Sequence, residues 1–298
     1  MIITSANMQT IKTMWSAKFK GAFAGAKSRY ADVAMVTNSN NATSAYAWLG
    51  QMPMLREWLG DRRVKSLKAF DFAIKNRDFE MTVSVPRNEV MDDNIGVYTS
   101  LIEDMGREAG THPDRLVFGL LPNGFSQPCY DGQNFFDNSH PIADGSGNDT
   151  VASNMQAGGL TPWYLLDTSR AVRPLIYQKR MEYTLVSKDN PGDDNVFFQK
   201  EFIYGCDGRS NAGYGLWQFA FGSKLALNTA NYAAAKSQMA SLRGDGGQLL
   251  GVRPNICVVP PSLETDAKNL FSKANLAGGE SNIYNGEVEV IVADWLAQ

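Results

Sequence analysis

Cysteine, aspartate and histidine come together once in this chain, in "CYDGQNFFDNSHP", residues 129–141. Such residues can do two kinds of chemistry. A Cys129 thiolate with a histidine base is a nucleophile, but it needs an activated thiol and a third group to orient the base. Zinc takes cysteines or histidines in closely spaced pairs. Here ten residues separate Cys129 from His140, no second pair follows, and His112 is remote. Asp131-Gly132 is a turn dipeptide, and Phe135 and Phe136 can anchor a loop by burial. The stretch reads as a structural loop. It supplies no catalytic, cofactor-binding or metal-ligating residue.

Two other stretches invite the same question. "YGCDGRSNAGYGLW", 204–217, is glycine-rich like a phosphate cradle. It lacks the Gly-Lys-Ser/Thr ending of a P-loop and the third glycine of a dinucleotide fingerprint, so it reads as tight turns between strands. Asp92-Asp93 resembles a carboxylate pair, but negative charge at a helix start accounts for it. With two histidines and no recognisable triad, an enzyme has no positive support.

The elements that would position these residues fit an ordinary globular chain. It has 298 residues, 44% hydrophobic and 20% charged, with formal net charge −3. That is enough for a sizeable core, and for two subdomains. A dedicated nucleic-acid reader is usually basic, and this chain is not. No apolar run reaches membrane-spanning length, so a soluble protein is expected. Cys129, Cys206 and Cys257 are far apart and odd in number, which suits buried thiols in a reducing compartment.

The first thirty residues carry Lys12, Lys18, Lys20, Lys27 and Arg29 before the first acid, Asp32. Met8, Ile11, Trp15, Phe19 and Phe23 recur at helical spacing. Such a basic amphipathic segment suits contact with a partner or docking on its own protein; both readings stand. Residues 37–47 are small and polar, a flexible joint. Alternation predicts strands around 70–74 and 79–85. Between them and the joint, "REWLGDRRVK" (56–65) is too charged to fold back with much gain. "MDDNIGVYTSLIEDMGREAG", 91–110, predicts a helix with Ile95, Tyr98, Leu101, Ile102, Met105 and Ala109 on one face. Pro113 either kinks it or starts another. Loops follow to 160, then strands at 163–166, 174–177, 183–187 and 195–205. A helix at 229–244 is capped by Asn228, with Tyr232, Ala235, Met239 and Leu242 inward. A buried strand at 256–259, a helix opened by Pro261 and a closing strand at 287–296 complete an α+β pattern.

Several blocks carry a specific resemblance: "LGQMPMLREWLGDR", "IKNRDFEMTVSVPRNEVMDDNIGVY", "YDGQNFFDNSHP", "NAGYGLWQFAFGS" and "GVRPNICVVPPSLETDAKNLF". In this order, from about residue 5 to 296, the chain resembles the Mu-like phage major head subunit, the gpT family. The resemblance implies a major capsid protein of the Hong Kong 97-type fold, forming hexamers and pentamers of an icosahedral shell around double-stranded DNA. It implies an N-terminal arm (1–47), an extended loop (48–87), a mainly peripheral domain with a spine helix at 91–121 (88–222), and a mainly axial domain with the C-terminal strand (223–298). It implies a virion protein assembled in the bacterial host cytoplasm. Its partners would be a separate scaffold protein, a portal at one vertex, packaged DNA held without sequence specificity, and in some shells a decoration protein. No cofactor and no membrane enter. The family does no catalysis with 130–141.

Further expectations follow from that plan. Arg56, Trp58, Arg62, Arg63 and Lys65 would contact a neighbouring subunit. Lys12, Lys18, Lys20, Lys27 and Arg29 would lie on the inner face. Some shells of this fold cross-link a loop lysine to an asparagine; Lys65 and Lys68 lie in the right region, but no residue pattern requires it. The C-terminus would lie near residues 160–163. The competing readings are a soluble nucleic-acid-associated protein and, last, an enzyme with a site near Cys129 and His140.

Overall fold

Two long helices laid on a four-stranded sheet form one half of the architecture; a five-stranded sheet with two shorter helices forms the other. In the computed structural model the residues described are 2–46, 72–143, 149–244, 247–275 and 279–297. The helices are α1 (Ser5–Gly25), α2 (Tyr30–Val33), α3 (Arg87–Met91), α4 (Ile95–Phe118), α5 (Leu120–Asn123), α6 (Asp194–Gln199), α7 (Thr229–Ala240) and α8 (Glu264–Phe271). The strands are β1 (Ala34–Asn38), β2 (Thr43–Ala45), β3 (Ala73–Lys75), β4 (Arg77–Pro86), β5 (His140–Ala143), β6 (Asp149–Ala152), β7 (Met155–Gln156), β8 (Trp163–Leu166), β9 (Leu175–Lys188), β10 (Glu201–Tyr214), β11 (Ala220–Ser223), β12 (Ile256–Val259) and β13 (Glu289–Val292).

Helix α1 follows its periodicity. Met8, Ile11, Trp15 and Phe19 are buried, and the Thr4 hydroxyl caps the start by accepting from the Asn7 N–H at 3.2 Å. It docks on α4 of its own chain, where the Trp15 indole N–H donates to Thr99 Oγ1 at 2.9 Å. Gly106 on α4 permits the approach: a Cβ there would meet the Phe19 carbonyl oxygen at 2.4 Å. Helix α4 starts four residues later than the sequence pattern suggests, because Asp93 is left-handed (φ 63°) and separates α3 from it. Pro113 does not start a second helix. The proline lies inside one continuous 24-residue helix, buried and held by packing, at the cost of one ladder bond.

The four-stranded sheet runs β1-β9-β10-β4, with β1 parallel to β9 and the other pairs antiparallel. The five-stranded sheet runs β13-β12-β8-β11-β7. The expected boundary at 222/223 falls inside that sheet, which takes β7, β8 and β11 from before it and β12 and β13 from after it. The C-terminal strand shares a sheet with β8, with β12 between them: Tyr164 pairs with Val258, and Val258 with Ile291. Two strand spacings, about 10 Å, separate those rows.

Four expectations change. Residues 174–177 and 183–187 are one fourteen-residue strand, β9. Of the strand expected at 195–205, residues 201–205 lie in β10 but 195–199 belong to α6; the Asp193 carbonyl accepts from Val196 and Phe197, and left-handed Lys200 (φ 57°) ends the turn. The glycine-rich 204–214 is no set of turns but most of β10. Gly208 sits there because Tyr183 covers it: a Cβ would meet that ring at 2.6 Å. The joint expected at 37–47 is, over its described residues 37–46, also built rather than loose: β2 pairs with β3, and Asn76 donates to Ser39 Oγ (3.1 Å) and Asn41 O (2.8 Å).

Candidate functional site

The 129–141 loop brings its polar residues together. Cys129, Asp131 and His140 place one ligating atom each within 4.8 Å of one another. Gly132 (φ 87°) makes the turn that the Asp-Gly dipeptide predicts, and Phe135 and Phe136 are buried beneath it. Asp131 sits in the middle. Its Oδ1 accepts from the Cys129 thiol at 3.0 Å and from the Gln133 N–H at 3.0 Å. Its Oδ2 lies 2.7 Å from His140 Nδ1. His140 is fully buried and stacked on Trp217 at 3.9 Å, with planes 8° apart.

Asn154, on the segment joining β6 to β7, closes the set. Its amide nitrogen donates to the carbonyls of Phe135 (2.8 Å), Trp217 (3.3 Å) and Ala220 (3.3 Å). That fixes its oxygen to accept from the Asp137 N–H (2.9 Å) and to face His140 Nε2 (3.2 Å). Both nitrogens of His140 thus face oxygens, one of Asp131 and one of Asn154. Burial works to raise the Asp131 carboxyl, but hydrogen bonds from His140 and Cys129 outweigh it and hold the group below its ordinary range. Burial, reinforced by the Asp131 charge, pushes the Cys129 thiol up and keeps it protonated.

This arrangement cannot run a cysteine–histidine reaction. A nucleophile needs the base beside the thiol; here a carboxylate stands between them and the thiol is its donor. As a metal centre it offers three groups, each already engaged by a neighbour. What it can do is pin the loop to β10's exit and to the start of β11. Sequence reading found Cys129 and His140 but missed Asp131 as their link and Asn154 altogether. The Asp131–His140 pair lay within the quoted stretch; nothing local marks Asn154.

The second histidine goes elsewhere. His112, on α4, packs on Phe79 at 4.3 Å and meets the Tyr183 hydroxyl at 3.0 Å through Nδ1. Burial lowers its pKa, with Arg115 and Arg77 adding to the effect against Glu108. Asp92 and Asp93 are exposed before α4. Of the basic arm residues, Lys18 pairs with Glu103 at 2.9 Å, and Arg29 is bound by Asp32 and Glu289. Lys12, Lys20 and Lys27 make no ion pair among the described residues. Arg56, Trp58, Arg62, Arg63, Lys65 and Lys68 lie outside the described residues.

The family model for the Mu-like prophage major head subunit gpT matches residues 8–296. The chain belongs to this family. It is 42% identical to the major capsid protein of Escherichia phage Mu, across 99% of this chain and all of that one. It is 41% identical to the Mu-like prophage FluMu major head subunit of Haemophilus influenzae, across 93% of this chain and 94% of that one. Among solved structures it superposes on the subunit in the procapsid of bacteriophage JBD30 with a TM-score of 0.87 and 44% identity, covering 98% of this chain and all of that one. For the JBD30 capsid the TM-score is 0.79 at 34% identity, covering 99% and 100%. As a gpT-type head subunit the chain has the α+β capsid fold of the Hong Kong 97 type. It is a structural protein of the virion, not an enzyme. The buried 129–141 network is part of how a head subunit holds its shape.

Proposed function

We propose that this gpT-type subunit assembles into hexamers and pentamers of an icosahedral shell that encloses double-stranded DNA. The observation that carries the reading is the end-to-end match to a subunit in an assembled procapsid, with no large segment of either chain left over. Assembly takes place in the host cytoplasm, with a separate scaffold protein, and a portal occupies one vertex. A decoration protein is consistent with the JBD30 capsid decorated with minor capsid protein trimers, a further similar structure. Co-expressing the chain with its scaffold protein and imaging the product by electron microscopy tests this. Uniform closed particles are expected; a product confined to small species would overturn it.

Within that shell the five-stranded sheet with α7 and α8 serves as the axial domain, and α4 with the four-stranded sheet as the peripheral domain. Lys12, Lys20 and Lys27 face inward, where unpaired positive charge is attracted to phosphate or to an acidic scaffold. Lys18 and Arg29 contribute less, being engaged by acids of their own chain. Arg56, Trp58, Arg62, Arg63 and Lys65 reach a neighbouring copy, where arginines can make forked bonds to carboxylates. Arg62→Glu combined with Arg63→Glu should leave a folded subunit that assembles poorly; normal shell yield would count against the contact.

A further inference from the structure

The largest exposed aromatic surface on the described part of the molecule lies at the turn between β9 and β10. Phe197 and Phe198, neighbours on α6, are each 76% exposed. Their rings meet edge to face at 5.0 Å, and both stand in solvent. They are not loose residues that failed to find the core. The turn beneath them is braced: Asn195 donates to the Lys188 carbonyl (3.0 Å) and the Glu201 carbonyl (2.7 Å). Val196 is buried in the core beneath α1 and α4. Buried Asp189 accepts from Ser187 (3.0 Å) and Tyr204 (3.0 Å). A frame this well bonded presents the two rings outward rather than letting them fold back.

We propose that Phe197 and Phe198 form a knob that packs against a second copy of this chain in the assembled shell. This rests on the shell reading above. Three observations select another copy as the occupant. First, the area is wrong for a stable pair in solution. Two phenylalanine side chains at this exposure offer roughly 250–300 Å², against about 800 Å² per partner in a stable complex. Such a patch leaves the free subunit monomeric and is buried with gain only where other contacts already hold the partner, as around a closed shell. Second, exposed charges of both signs flank the rings, Asp194 before them and Lys188 and Lys200 around them. A copy of the same surface is therefore not repelled, whereas a strongly charged partner would find no complementary field. Third, the chain belongs to a family of head subunits, so its own copies are the neighbours it meets most often.

Hydroxyl-radical footprinting of the wild-type chain, read by mass spectrometry at Phe197 and Phe198, compares the free subunit with shells of this chain assembled on the scaffold protein and then freed of it. At least tenfold protection of both rings in shells is expected. The Phe197→Ser, Phe198→Ser double variant should stay folded and soluble, with shell yield down by at least tenfold. Shells whose rings oxidise as fast as in the free subunit would overturn the proposal and leave the shell reading intact. So would protection that appears only when a second protein is added, or normal shell yield from the double variant. If the wild type forms no shells with its scaffold protein present, the shell reading falls and this proposal with it. If the double variant misfolds, the wild-type footprint decides alone.

Discussion

The 129–141 loop and the β9–β10 tip invert what their residue types suggest. The loop carries thiol, carboxylate and imidazole, the groups of an active site, and buries them against one another. The tip carries two phenylalanines, the stuff of a core, and leaves both in water. Reactivity needs access and an unsatisfied group, and the loop has neither. Recognition needs exposed apolar area on a rigid mount, and the tip has both. In a head subunit the buried polar network specifies one loop geometry, while the exposed apolar pair can do its work only between molecules.

Mutations can break or sharpen this contrast. The largest effect is expected from Asp131→Ala, which strands a buried imidazole and thiol at once. Breaking a buried pair costs about 3–5 kcal/mol, measured as a loss in urea unfolding free energy of the free subunit. A loss under 1 kcal/mol would mean that the loop is not held by its polar groups. Next comes Asn154→Ala. It removes the acceptor for His140 and Asp137 and the donor to three carbonyls, and each unsatisfied buried group costs about 1–3 kcal/mol. Asp131 and Asn154 share His140, so the double mutant should lose less than the sum of the singles; strict additivity would argue against one network.

Acid should expose the same pairing. The Asp131 carboxyl is held low in the folded state, so its contribution is present above the unfolded value, about 3.9, and is lost as pH falls through the lower folded value. Thermal midpoints between pH 5 and pH 2 should fall less steeply in Asp131→Asn than in the wild type; parallel curves would contradict the linkage. The thiols offer a chemical readout. Cys129, Cys206 and Cys257 are all buried, and burial pushes Cys206 up to about 11. Maleimide at pH 7.5 should label none of them in the native subunit and all three in denaturant. The smallest effect is expected at the tip: Phe198→Ser should change the unfolding free energy by no more than about 0.5 kcal/mol, since the ring touches little of its own subunit. A loss above 2 kcal/mol would show that the rings support the turn itself.

Helical periodicity alone determined α1, α7 and the middle of α4, because burying a stripe needs only local spacing: Met8, Ile11, Trp15 and Phe19 point one way in any context. The Asn228 cap, the buried strand at 256–259 and the turn at Asp131-Gly132 were legible for the same reason, each being set by neighbours in the chain. Family membership was legible too, in ordered blocks of sequence along nearly the whole chain. Tertiary structure decided the rest. "NVFFQ" reads as strand by composition and became a helical turn because β9 and β10 had to be joined there. The glycines of 205–213 read as turns and lie in a strand, because distant side chains and backbone crowd against them: Met81 and Thr82 at Gly205, the Tyr183 ring at Gly208 and Ile74 at Gly213. Asn154 joined His140 from fourteen residues away, and Trp217 from still farther along the chain. Local sequence fixes which groups a segment carries, but their exposure depends on which distant segment covers them. That is why a reactive-looking loop is sealed in this protein while two phenylalanines stand in water.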